Sequence, residues 1–500
     1  MDALDVETSI AEGEQAFQAL MTFVRERAGK LEAHEAEKGL FKRLRPMGLA
    51  AMKRYVAERG TGDVGLAVIQ ADGVVLARES KRRRRNYVSL FGKVAVARTC
   101  YRTPGEPGIF PLDAQVNLPK RCDSYFLQEW MTWFEVEHPF QERARWCEPL
   151  FDLELAESVL MAVAKEAPED YEGFSAQRPV APEANAGELL VVRFDGKGVP
   201  MIKAEAVKLK AKLGPGEKRQ RKKAALVGGS YTVDAKPRSP EALAELLVDP
   251  EAARVRQQRA GTTDEAPRAQ QVRRVASLVR TKPAVMELVK ADAERRDPQP
   301  RKPLVIRLDG ALCLWSLAPK LFKPWKRVTC VLDMLHVVSY RWTAANALFG
   351  EASRAGKHWV QQQLTEILRG RVGYGIGGLR HIRTKQRLRK SVRQTLATVI
   401  TFLHNHRRWM KYDQYLAMGL PVGTGVVESA CGSVVKHGME GEGKRWSLAG
   451  AAAILALRSL KKSHDHDLRD YWRFRARQGR LRLYGRQPKY RPTERLKRVA

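Results

Sequence analysis

Three acids in this chain sit where an isolated surface charge would be out of place. Asp195 follows the apolar run LLVVRF and precedes Gly196, and Asp309 follows LVIRL and precedes Gly310. Each reads as the last residue of a core strand before a turn. There an α/β sheet presents functional groups to solvent, and a carboxylate can hold a cation without being buried unpaired. Glu428 lies in PVGTGVVESACGSVV, where a Gly-rich turn leads into a helix that returns its acid towards the sheet. Three hard oxygen ligands with no His or Cys cluster beside them favour Mg²⁺ or Mn²⁺ over zinc. Two such ions, roughly 3.5 to 4 Å apart, activate water or a 3′-hydroxyl and stabilise the leaving oxygen of an in-line displacement. The chemistry would be cleavage and joining of nucleic-acid strands. A single Asp-Gly is ordinarily a turn and nothing more; the weight comes from the trio in a strongly basic chain. Asp333 is an alternative second ligand because it too ends an apolar run, VTCVL. Asp309 is preferred, since its Asp-Gly setting mirrors that of Asp195. His336 is a supporting candidate, although a lone His after a strand is usually a satisfied core residue.

Composition agrees with a polyanionic partner. The 500 residues carry 89 Lys plus Arg against 56 Asp plus Glu, a formal charge of +33, and 44% are hydrophobic, enough for several buried cores in two to four domains. Basic patches attract nucleic acid through phosphate contacts and counterion release, but acidic membranes attract them too, so charge gives the partner class and not the activity. Six cysteines without a C-x-x-C pair argue against a zinc ribbon, an iron–sulfur site or a disulfide framework. The acidic, polar amino terminus is no secretory signal, and no eighteen uncharged apolar residues run together. The expected setting is the cytoplasm, on the nucleoid, with no membrane association.

The elements that must position these acids follow from periodicity. Residues 1–62 show the helical period through Ile10, Phe17, Leu20, Phe23 and Val24 and are a candidate dimer contact. Residues 63–120 form a small β-rich domain: GLAVI and VVLAR flank Asp72-Gly73, and YVSLF and KVAVARTCYR surround Gly92. The run KRRRR, with Arg82, Arg83 and Arg84, is a solvated loop or a phosphate contact. Residues 121–175 are helical, around FLQEWMTWFEV, FQERARWCEPLF and LAESVLMAVAKEA, and a DNA-reading helix-turn-helix is one reading of them. After the linker QRPVAPEANAG, residues 186–342 make the first part of an α/β core, with two adjacent strands flanking a basic loop. That loop, Lys208 to Lys223, holds eight basic residues, among them Lys218, Arg219, Arg221, Lys222 and Lys223. Residues 240–296 read as helix alternating with an Ala/Arg/Gln-rich loop. Residues 343–418 are a helical insertion, 419–465 return to the core with Glu428, and 466–500 are a basic tail whose aromatics suit a phosphate backbone with occasional stacking.

The segments RLDGALCLW, CVLDMLHVVSYRW and GTGVVESACGSVVKHGMEGEGKRWSLAGAAAILALRSL resemble ISKra4-like bacterial insertion-sequence transposases and, more distantly, the IS256 and Mutator group. The likeness extends back through FGKVAVARTCYR, FPLDAQVNLP and VVRFDGKGV, and it spans most of residues 80–460. It implies an α/β ribonuclease H-like core with a large helical insertion before the glutamate-bearing helix. It also implies DDE-class, metal-dependent strand cleavage and transfer by Asp195, Asp309 and Glu428 with Mg²⁺ or Mn²⁺, in two ions. Its partners would be double-stranded DNA, both the element's terminal inverted repeats and the target, and further copies of the chain in a homodimer or higher oligomer. Relatives carry an acid or cysteine shortly before a histidine between the second and third acids, and Asp333 and His336 in DMLH fit. Lys444, Arg445 and Trp446 in GKRWS resemble a DNA contact, with Trp446 stacking on an unpaired base or packing in the core. Relatives have paired cysteine knuckles where this chain has YRTPGEPGIFPLD, so no zinc knuckle is expected. The competing readings are a noncatalytic, domesticated DNA-binding protein and a nuclease of the same fold without strand transfer.

Overall fold

Near-continuous apolar strands belong to sheets covered on both faces, whereas a strand of mixed polarity belongs at an edge. The computed structural model describes residues 3–137, 153, 155–180, 186–209, 221–259, 268–423, 431–441, 444–463, 467–485 and 490–493. The chain divides into two units, Met1–Asp170 with Leu468–Ala500, and Tyr171–Asp467. Helix predominates, and the larger sheet is mixed.

In the first unit the helices Ala3–Arg27 and Ala33–Glu58 pack on one another. Five strands follow: β1 (Ala67–Gln70), β2 (Val75–Arg78), β3 (Arg83–Ser89), β4 (Gly92–Arg98) and β5 (Tyr101–Arg102). The Asp72-Gly73 turn closes β1 on β2, and Gly73 takes φ +87°, a conformation glycine adopts without strain. KRRRR is largely the start of β3, paired with β4, and not a loop. The basic segment after residue 466 is not a free tail either. It forms the helix Asp467–Tyr484 and a strand, β11 (Tyr490–Thr493), that pairs with β1. Its aromatics serve packing: Tyr471, Trp472 and Phe474 are buried, and the Trp472 indole donates to Thr132 Oγ1 at 2.9 Å. The candidate helix FQERARWCEPLF lies outside the described residues, which leaves the helix-turn-helix reading without a described counterpart.

The second unit is built on five strands: β6 (Leu189–Pro200), β7 (Lys222–Val233), β8 (Gln270–Ser277), β9 (Leu304–Leu308) and β10 (Val328–Leu332). Their order is β10-β9-β6-β7-β8. β6, β9 and β10 run parallel, and β7 and β8 continue the sheet antiparallel on the other side of β6. Helix Lys282–Arg296 connects β8 to β9, and helix Leu312–Leu321 connects β9 to β10. β8 was expected as part of a helix-and-loop stretch. Its sequence QQVRRVAS lacks strand alternation, and Arg273 in mid-strand is accommodated by the buried Asp292. From β10 the chain enters the helices Met334–Phe349, Arg354–Leu368, Val372–Lys385, Lys390–His406 and Tyr412–Ala417, as the periodicity of 343–418 predicts. Helix Tyr412–Ala417 completes the exposed edge of the sheet: Tyr412 donates to Leu332 O at 2.8 Å and Tyr415 to Cys330 O at 3.2 Å.

Arg307 is buried in the middle of β9. Its Nη2 donates to Asp333 Oδ2 at 2.6 Å and its Nη1 to Tyr231 Oη at 3.1 Å. Asp333 Oδ1 in turn accepts Leu335 N at 3.0 Å and caps helix Met334–Phe349. Gly423, with φ +110°, closes on this pair so tightly that a Cβ would stand 2.5 Å from Asp333 Oδ1. Removing one partner of such a buried pair strands the other charge, so Arg307→Met is expected to cost roughly 3–5 kcal/mol. Urea unfolding checks this, and a loss below about 1 kcal/mol would show that Asp333 is not dependent on Arg307.

Candidate active site

The parallel ladder between β6 and β9 ends at the pair Phe194↔Leu308, so the next residue of each strand emerges at the same edge. Those residues are Asp195 and Asp309. β6 does not turn after Asp195, as the Asp-Gly dipeptide had suggested, but continues to Pro200 paired with β7. The acid is therefore terminal only with respect to its parallel neighbour. Asp309 N donates to Phe194 O at 3.2 Å, Gly196 N to Asp309 Oδ2 at 2.9 Å and Ala311 N to Asp309 Oδ1 at 2.8 Å. The first two of these bonds tie the Asp309 turn to β6 on either side of Asp195.

The helical insertion holds the Asp309 loop from behind. Trp315 Nε1 donates to Asp309 O at 2.8 Å and stacks on Trp409 with centroids 3.8 Å apart. His406, 3% exposed, places Nε2 3.2 Å from Gly310 O and Nδ1 2.7 Å from Phe402 O. The Phe402 ring lies where a Gly310 side chain would be, with Cε2 2.4 Å from an added Cβ. Gly310 is thus required for a close approach and not merely for a turn. Neither Phe402 nor His406 stood out in the sequence, because both look like ordinary helix residues.

His336, in the first turn of helix Met334–Phe349, brings Nε2 to 3.7 Å from Asp195 Oδ1, an ion-pair distance. Burial disfavours the charged imidazole, but the Asp195 carboxylate, with Asp333 and Asp309 adding to it, outweighs burial and raises the His336 pKa. Asp309 also has a raised pKa, first from burial and then from the like charge of Asp195, against the opposing Ala311 and Gly196 N–H groups. Two crowded, partly buried carboxylates of this kind are hard oxygen donors whose repulsion a divalent cation would relieve, so they suit Mg²⁺ or Mn²⁺. Among the described residues no group of three or more His, Cys, Asp or Glu forms a metal-holding cluster. Glu428 lies outside the described residues. The chain on either side of it is placed: Gly423 abuts Asp333, and Cys431–Lys436 packs against β6, the strand of Asp195. The two candidates for the second position differ in their surroundings. Asp333 is engaged by Arg307 and by the helix it caps, whereas Asp309 stands beside Asp195.

The basic candidates scatter. Arg83 is paired through Nε and Nη2 with Glu79 at 2.7 and 3.0 Å, while Arg82 and Arg84 line a cavity of about 250 Å³ in the first unit. In the second unit, Lys218 and Arg219 lie outside the described residues. Arg221 is exposed, Lys222 pairs with Glu440 at 2.8 Å, and Lys223 is half-buried in β7. Lys444 donates to Gly438 O at 3.1 Å, and Arg445 is exposed. Trp446 is 6% exposed, and its Nε1 donates to Met439 O at 3.0 Å. Its backbone bonds to Pro200 O and Ile202 N stitch this segment to the end of β6. Of the two readings of Trp446, the structure takes core packing; a ring held this way is not available to stack on a base.

No protein-family model matches the chain, and no curated protein matches it. Among solved structures it is similar to the Drosophila P element transposase strand transfer complex, at 8% identity over 73% of this chain and 82% of that one. The TM-score is 0.25, a likeness too weak to carry any argument about fold or chemistry. Among the described residues no helix is long and apolar enough to cross a membrane.

The His336 shift has a definite sign. Its pairing with Asp195 stabilises the fold fully below the ordinary imidazole pKa of about 6.5, and that contribution is lost as pH rises through the raised value. Histidine NMR titration should place His336 above the ordinary value and move it down in Asp195→Asn; an unchanged titration in the variant would remove Asp195 as the cause.

Proposed function

We propose that this protein is a DDE-class DNA transposase, with Asp195, Asp309 and Glu428 as its carboxylates on a ribonuclease H-like core. The observation that carries the reading is the emergence of Asp195 and Asp309 side by side at the carboxyl end of one parallel strand pair. The sheet supports it: a meander β6–β7–β8, then two parallel strands laid against the free side of β6 with a helix in each connection, is the arrangement such a core requires. The family likeness to ISKra4-like elements is part of the proposal.

Asp195, Asp309 and Glu428 would hold Mg²⁺ or Mn²⁺, in two ions, which when bound activate the attacking oxygen and neutralise charge on the leaving one. The chain's own part is positional. The backbone N–H groups of Gly196 and Ala311 fix the Asp309 carboxylate, and Trp315 together with His406 of the insertion fixes its loop. His336 faces Asp195 with Nε2, and its raised pKa favours the protonated ring, which offsets negative charge of the acid pair before a phosphate approaches. Exposed Arg221 and Arg445, in the unit that carries the acids, are the residues offered to a DNA backbone, at element ends or target. A second copy is the proposed protein partner, through the first helix, which exposes Ile10, Phe17, Met21 and Val24. Elution as a dimer in the absence of DNA is the expected outcome, and strictly monomeric elution would contradict it.

The deciding experiment incubates a labelled element end with the protein and Mg²⁺ or Mn²⁺ and scores nicking and strand transfer. Asp195→Ala, Asp309→Ala and Glu428→Ala should each lose at least about a hundredfold in rate while retaining DNA binding. A bound metal contributes several kcal/mol of transition-state stabilisation, and each ~1.36 kcal/mol is tenfold. Asp333→Asn should lower stability instead. Binding without metal-dependent cleavage would establish a noncatalytic DNA-binding protein, and cleavage without joining would establish a nuclease.

A further inference from the structure

At the end of the sheet opposite the acids, the second unit buries more positive charge than it neutralises. Thr232, near the end of β7, pairs with Leu190 at the start of β6, roughly 17 Å along the strand from Asp195 at about 3.3 Å per residue. Two residues before Thr232 on β7, Ser230 donates to the buried Asp292, which also accepts from three arginines at once: from Arg273 Nη1, from Arg295 Nη2 at 3.1 Å and from Arg296 Nε at 2.7 Å. Burial opposes ionisation of this carboxyl, but Arg296 and Arg273 overcome it and hold its pKa well below the usual range. Three guanidinium groups share a single carboxylate, so the cluster keeps a surplus of positive charge. Asp297, the other acid beside it, is occupied: its two oxygens accept Arg301 N at 3.0 Å and Lys302 N at 2.9 Å.

Two of the three arginines, Arg295 and Arg296, also line an open cleft of about 440 Å³, together with Arg301, Asp297 and Thr232. The Arg296 side chain is only 3% exposed, yet its Nη1 has no hydrogen-bond partner among the described residues. Arg295 Nε and Thr232 Oγ1, also lining the cleft, are buried without partners in the same way. Buried donors are costly unless satisfied, and guanidinium and hydroxyl donors on residues that line one cleft are the chemistry that a tetrahedral oxyanion satisfies. The positive surplus rules against a cation there.

We propose that this cleft is a phosphate-binding site, with Arg295, Arg296 and Thr232 as its donors, and that it takes a free phosphate or a phosphate of a nucleic-acid backbone. It is separate from Asp195 and Asp309, and its failure would leave the catalytic reading untouched. The test uses Thr232→Val and Arg295→Gln, neither of which removes the contact of Arg296 with Asp292. Inorganic phosphate, compared with chloride at equal ionic strength, should raise the Tm of the unmodified protein by about 2–4 °C. Both variants, folded by circular dichroism in chloride, should lose most of that rise. A short DNA duplex of arbitrary sequence separates the two sources. If a backbone phosphate occupies the cleft, the slope of log K against log salt for Arg295→Gln should be shallower by about one. An unchanged slope with phosphate protection lost assigns the site to free phosphate. No phosphate-dependent rise in the unmodified protein, or an equal rise in both variants, overturns the proposal.

Discussion

Two carboxylates of like charge held against one another at the end of a parallel strand pair are the constraint around which the second unit is arranged. Burial disfavours ionisation of Asp309 and the like charge of Asp195 adds to that cost, so its pKa is raised. The fold offsets this with backbone dipoles from Gly196 and Ala311 and with the facing imidazole of His336. Everything behind the pair then has to be rigid. Trp315, Phe402 and His406 pin the Asp309–Gly310 turn, and Tyr412 and Tyr415 hold the edge strand β10. Arg307 and Asp333 lock the start of the helix that delivers His336.

Arg307 is also the clearest case of a residue whose type misleads when read from sequence. In LVIRL it looks like a lapse in an apolar strand, yet it is fully buried and is the partner that settles the surroundings of Asp333. The formal charge of +33 carries the same lesson. Arg307, Arg341 and Arg458 are almost wholly inside, and Arg458 gives its Nε to the carbonyl of Val434 at 2.6 Å. These buried guanidinium groups add to the formal charge but serve packing and present nothing to a polyanion.

What the sequence made legible is what short-range pattern controls. The apolar runs ending at Asp195 and Asp309, the Asp72-Gly73 hairpin and the helical stretch after β10 all follow from local periodicity and turn chemistry. What it hid depends on distant partners. β8 carries Arg273 in mid-strand because Asp292 lies on another element, and Trp472 of the basic carboxyl-terminal segment is buried because Thr132 receives its indole. Trp446 reads equally as a base-stacking aromatic and as a core residue until the end of β6 is seen pairing with it. The juxtaposition of Asp195 and Asp309 was legible as a repeated motif, but that β6 continues past its acid was not, since strand length there is set by pairing with β7.

Divalent-cation binding tests the central claim most directly. Mn²⁺ titrated into the protein and followed by electron paramagnetic resonance should show saturable binding that is lost in Asp195→Asn and in Asp309→Asn and retained in Thr232→Val. Equal Mn²⁺ binding by the unmodified protein and both aspartate variants would contradict the account, because the paired carboxylates would then not be the metal's ligands.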